Sequence, residues 1–100
     1  RFMTAYIQSL RDYNDAFFKN KNETEIVDIL CNYSVTKDTA LYDKMFPTGL
    51  NPDGYIRPKG IVMDLEWYKK NNLLKSNITL ADAVDNQYVD FAIKTLGKYQ

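Results

Sequence analysis

Apolar residues in this chain recur at spacings of three and four, and nowhere in a convincing alternation of two. That period restricts the chain to helices. Residues 1–20, RFMTAYIQSLRDYNDAFFKN, carry Phe2, Tyr6, Leu10, Tyr13 and Phe17 in helical register. Ala5, Ile7 and Phe18 widen this stripe, which predicts a first helix whose aromatics are core. Asn22 with Glu25 three residues later reads as a capping arrangement ahead of Ile26, Val27, Ile29 and Leu30, so a second helix is expected over about 23–33. Cys31 falls within it as a small buried apolar residue.

Further along, the punctuation is stronger than the periodicity. Thr36 is expected to cap a helix of two to three turns through Leu41, Tyr42 and Met45, ended by Pro47. Asn51-Pro52-Asp53-Gly54 is a turn, because proline presets φ and glycine tolerates positive φ. Tyr55, Ile56 and Arg57 then run extended to Pro58, which suits the first position of a helix over about 58–71. That helix presents Ile61, Val62, Leu65 and Tyr68 on one face with Trp67 at its flank. It is expected to lay that face on the core and to end in Asn71-Asn72, with Leu73 and Leu74 folding back as an apolar clasp. Thr79 caps the short turn Leu80–Ala83. Asp85 caps a last helix through Tyr88, Val89, Ala92, Ile93 and Leu96, with Gly97 at its C-cap. The fold class is all-α, five or so helices in a single segment spanning residues 1–100.

Composition narrows function by exclusion. Thirteen basic and thirteen acidic residues cancel among 100, which argues against non-specific binding to nucleic acid or an anionic membrane. Hydrophobic content of 45% with 14% aromatic residues is that of a globular chain, and this length buries about 65% of its unfolded surface. There is no histidine and one cysteine, so an internal disulfide, the usual zinc and copper ligand sets, and Ser-His or Cys-His pairs are all excluded from the segment. No apolar run approaches the length of a membrane span. The chain opens on Arg1 inside an apparent helix, which reads as a truncated or processed start.

The carboxylates make no acid–base pair. Asp64 and Glu66, two apart, point to different sides of a helix. Asp82, Asp85 and Asp90 suit capping and dipole roles, and Asp38 and Asp43 suit solvated ones. The NPDG turn lacks the spaced acidic ligands of a calcium loop and the glycine–lysine pattern of a phosphate loop. Asn22, Asn32 and Asn77 head matches to the glycosylation sequon, which has meaning only in a eukaryotic secretory protein. Arg11 and Arg57 are each able to grip an anion, although surface ion pairing is the ordinary fate of a single arginine. The residues themselves therefore assign no catalytic group, no metal site, no cofactor and no ligand contact.

The order of phrases carries more. AYIQSLRDYNDAFF, then VTKDTALYDKMFPTGLNPDGYI, LEWYKKNNLL and AVDNQYVDFAIKTLGKY resemble, in sequence, the carboxy-terminal part of solute-binding proteins of ABC importers. Within that group the chain is most similar to the nitrate/sulfonate/taurine and thiamine-pyrimidine-precursor family. The likeness covers essentially all 100 residues, with one departure: Asn71-Asn72 stands where relatives often have glycine. It implies a type II periplasmic-binding fold of two α/β lobes around a cleft, of which this segment is the helical tail. It implies a small-molecule solute held by upstream residues, an ABC permease as partner, and an extracytoplasmic place, periplasmic or as a membrane-anchored lipoprotein. The stretch Asn51 to Arg57 would then reach the cleft rim or the permease. Two other readings stay open: a free-standing helical interaction domain, and a segment of a pyrimidine-precursor synthase, whose chemistry needs histidines this segment lacks. A tail that covers a lobe is also expected to dimerise when isolated.

Overall fold

The structure, a computed structural model, describes residues 1–100 and is all-helical, with six helices and no strand. They are α1 (Phe2–Lys19), α2 (Glu23–Tyr33), α3 (Thr39–Tyr42), α4 (Pro58–Lys70), α5 (Leu80–Ala83) and α6 (Gln87–Leu96). No helix is long and apolar enough to cross a membrane. The chain folds around α1. α6 packs along one side of it, α2 along another, and α3 leans on α2, while α4 touches only α5 among the other helices.

The face that α1 buries is not the aromatic stripe. Ile7, Leu10, Asn14 and Ala16 are its buried residues, while Phe2 and Tyr6 are exposed. Methionine and aliphatic side chains fill the narrow gap to α6, where Met3 and Ile7 meet Val89, Ala92, Ile93 and Leu96. Tyr13 and Phe17 are half-buried, with ring centres 4.7 Å apart and planes tilted by 52°, and Tyr13 lines the groove toward α2. The buried Asn14 is satisfied within its own helix, its amide donating to Leu10 O at 2.7 Å. Val27 and Cys31 complete the core from α2.

The caps differ from the sequence reading at three places, one of them α6, whose N-cap is Asn86 and not Asp85, although the Asp85 carboxylate accepts from the Gln87 amide at 3.0 Å. Asn22 adopts a left-handed conformation, φ 54°, so its side chain does not turn back to cap α2, and no capping box with Glu25 forms. Asn20 is left-handed too, and this pair reverses the chain between α1 and α2. α3 is capped by Asp38, whose carboxylate accepts from the Ala40 amide at 3.0 Å, not by Thr36. It lasts four residues and unwinds into turns through Met45, well before Pro47. Elsewhere the punctuation holds. Pro58 opens α4, Asn72 takes the left-handed conformation that ends it, and Gly97 follows α6 with φ 75°.

The largest correction concerns α4. It has no buried residue: Ile61 and Leu65 are half-covered, while Val62, Met63, Trp67 and Tyr68 are exposed. It does not lay its apolar face on the core. Leu73 is exposed as well, so the expected clasp is absent there and only Leu74 is half-covered. The outcome is measurable over the whole molecule. A compact monomer of 11.7 kDa exposes about 5,900 Å²; this chain exposes 8014 Å². Its radius of gyration is 16.9 Å, against about 13 Å for a compact domain of this length.

Candidate functional site

Two features stand out against the small core: a polar latch at the root of the 51–57 elbow, and the uncovered arm that the elbow carries.

The elbow is a tight turn. Gly54 N–H donates to Asn51 O at 2.8 Å, and the Asn51 side-chain oxygen accepts from the Asp53 amide at 2.9 Å. Gly54 has φ 76°, and a Cβ there would meet Ile7 Cγ1 at 2.9 Å. The turn therefore sits directly on the fully buried Ile7, and only glycine fits.

Arg11 and Asp53 lock the turn to α1. The Arg11 guanidinium donates to Asp53 Oδ1 at 2.8 Å, to Pro52 O at 3.2 Å, to Leu96 O at 3.4 Å and to Gly97 O at 2.5 Å. With its side chain only 11% exposed, Arg11 ties the elbow and the end of α6 to one point on α1. The planar fork that makes this geometry possible is particular to arginine. The surface ion pair expected for Arg11 is thus a largely buried junction of three segments.

The last residues extend the latch. Tyr99 N–H donates to the same Asp53 Oδ1 at 2.9 Å, and its hydroxyl donates to Asp15 at 2.6 Å. Lys19 lies 4.1 Å over the Tyr99 ring, pairs with Asp15 at 3.0 Å and donates to Gln100 O. The hydroxyl of Tyr99, with Lys19 and Lys21 beside it, holds the Asp15 carboxyl down at about 2. None of these partners was visible in the sequence, where Asp53 read as a turn residue.

The other singled-out residues do not converge. Asp82 accepts from both the amide and the hydroxyl of Thr79, which lower its pKa, and Asp85 accepts from the Gln87 amide, which lowers its own. Asp90 takes the Tyr55 hydroxyl at 2.7 Å and raises that phenol above its usual range. Asp38 caps α3, Asp43 is exposed, and Asp64 and Glu66 are exposed on α4. Asn22, Asn32 and Asn77 are exposed, in three separate places. Cys31 is buried, and Arg57 is exposed at the N-cap of α4. The surface has grooves rather than an enclosed chamber. One of about 750 Å³ runs along the elbow between Leu50, Asn51, Tyr55 and Arg57; another of about 270 Å³, almost wholly apolar, lies between α1 and α2 beside Leu50.

The arm beyond the latch is what this arrangement presents. Trp67 and Tyr68 meet edge to face at 5.4 Å, and Met63 and Ile56 are exposed near them in sequence. The root is locked and the arm is bare, an exposed apolar helix held at one end by a polar junction. No family model, curated protein or solved structure matches the chain.

Proposed function

We propose that this chain is the helical carboxy-terminal part of an extracytoplasmic solute-binding receptor, periplasmic or lipid-anchored, that delivers a small molecule to an ABC importer. The segment does no chemistry. It packs on an α/β lobe, and the solute, of sulfonate, nitrate or pyrimidine-precursor type, is held by residues of the lobes.

One observation carries the packing role: a chain with seven buried apolar residues leaves about 2,100 Å² more surface exposed than a compact monomer would. A standard interface removes about 800 Å² from each partner, so the surplus is ample for a second surface. The receptor identity rests on the ordered phrases of the sequence. The latch supports it mechanically, because an arm that covers another body must leave the platform in a fixed direction.

Sequencing the gene on both sides of these codons tests the proposal. The expected result is one reading frame that encodes two βα-repeat lobes upstream, with permease and ATPase genes beside it. A frame without such lobes would overturn it. The exposed apolar arm equally favours a helical interaction domain, and that reading takes over if the lobes are missing.

A further inference from the structure

We infer that residues 57–84 are a hinged flap: α4 and α5 swing as one body about a two-stranded neck, and the Tyr55–Asp90 hydrogen bond is the clasp that sets its resting direction. The eight buried residues of the chain all fall within residues 7–31 and 89–92, so none lies in this stretch. α4 and α5 pack on each other and on no other helix. No hydrogen bond or ion pair joins residues 57–84 to residues 1–55 or 87–100. What connects the two bodies is covalent chain, in two crossings. Within the flap the chain is well tied. The Leu73 amide donates to Tyr68 O at 3.0 Å and fixes the turn after α4, Thr79 and Asp82 form a capping box at α5, and the Val84 amide donates to Leu80 O at 3.0 Å. A segment with its own internal bonds and no share in the core moves as a unit.

The neck locates the hinges. On the way out, Asp53 and Gly54 are pinned on α1, and the Tyr55 hydroxyl donates to Asp90 Oδ1 at 2.7 Å. Pro58 fixes its own φ and holds Arg57 extended, at φ −76° and ψ 108°. Ile56, exposed and without a hydrogen bond, is left as the residue that absorbs rotation. On the way back, Val84 belongs to α5 through its amide, and the Asp85 carboxylate accepts from the Gln87 amide in α6. The second hinge is thus the Val84–Asp85 junction. Asp90 stands in the first turn of α6, just after the returning strand, so the clasp draws the two crossings together. A phenol on a carboxylate is a charge-assisted bond, strong enough to favour one direction and exposed enough to open. The groove of about 750 Å³ along the elbow straddles the first hinge: Leu50, Asn51 and Pro52 line it from the fixed side and Arg57 from the flap. The swing therefore changes the width of that groove. This inference concerns motion about a fixed root and does not depend on the receptor reading.

Residual dipolar couplings of the backbone amides, measured on the weakly aligned 100-residue chain, test it. The expected result is that α1, α2 and α6 fit one alignment tensor, while α4 and α5 keep helical chemical shifts and fit a second tensor. That second tensor should be smaller by roughly a third, the step between rigid and flexible backbone order. Tyr55→Phe removes only the hydroxyl of the clasp, and Ile56→Gly loosens the first hinge. Each should lower the α4 and α5 couplings further and leave those of α1 and α6, and the urea midpoint of the platform, unchanged. A single tensor of undiminished size for all the helices would overturn the inference, since the molecule would then be one rigid body. Random-coil shifts over residues 57–84 would overturn it as well, because the flap would not be a body at all. Couplings indifferent to Tyr55→Phe would strike out the clasp.

Discussion

Arg11 and Asp53, 42 residues apart in sequence, pair at 2.8 Å and make the elbow of this molecule a fixed joint. Both side chains are mostly covered, and the guanidinium spends its remaining donors on the carbonyls of Pro52, Leu96 and Gly97. Without it, Asp53 would be left facing only the Tyr99 amide.

Removing the guanidinium should therefore cost more than a surface ion pair. Arg11→Ala is expected to destabilise the chain by about 2–4 kcal/mol, since a covered carboxylate and three carbonyls lose their donor together. Arg11→Lys should recover only part of that, because a point charge cannot serve four acceptors in one plane. Urea denaturation of the three proteins checks it. Equal stability of Lys and Arg variants would contradict the latch.

Gly54 is the second pin. Gly54→Ala forces a Cβ into the side chain of Ile7 at a positive φ, and should cost about 2–4 kcal/mol from strain and overpacking together. Ile7→Val removes the Cδ1 that a new Cβ would meet at 3.0 Å, so the double variant should be less destabilised than the sum of the singles. Additive losses would show that the turn does not rest on Ile7.

The two apolar surfaces should respond oppositely to truncation. Ile7→Ala, in a fully buried position, is expected to cost about 2–5 kcal/mol. Met63→Ala, on the bare side of α4, should change the stability of the dilute monomer by less than about 0.5 kcal/mol. Thermal melts at low concentration measure both.

The Asp15 cluster sets an acid limit. Its carboxyl is held at about 2 in the fold against an ordinary 3.8. A lowered folded value means that the stabilisation is complete above the ordinary value and is lost as pH falls toward the folded one. Asp82 and Asp85, also lowered, act with the same sign. Stability should thus decline from about pH 4 to about pH 2, and Asp15→Asn should flatten part of that decline. Unfolding curves across this range, for both proteins, decide it. An unchanged slope in the variant would remove Asp15 from the account.

The parts legible in the sequence are those governed by local rules. The 3.6-residue period located α1, α2, α4 and α6, and Pro58, Gly54, Gly97 and Asn72 marked their turns because each conformation follows from one residue's sterics. Caps were legible only where a single candidate competed. Asp38 stands immediately before Thr39, the first residue of α3, and displaced Thr36, and Asn22 gave up its capping role to a left-handed turn. The core face of α1 was misplaced because aromatic area outweighs aliphatic area in a periodic pattern, whereas the gap to α6 accepts only slim side chains. The latch was illegible for a different reason. Arg11 binds mostly backbone carbonyls, which every residue has, across separations of 41 to 86 residues. Periodicity also shows that α4 has an apolar face, and is silent on whether anything in the chain covers it.

Hydrogen exchange on the dilute, monomeric chain addresses that last point most directly. Amides of α1 and α6 should exchange slowly, at the rate of global opening, and those of α4 should exchange far faster, near the rate of a helix held only at its root. If the α4 amides are protected as well as those of α1 in the monomer, the arm is not bare, and the account of a locked platform that presents an uncovered helix is contradicted.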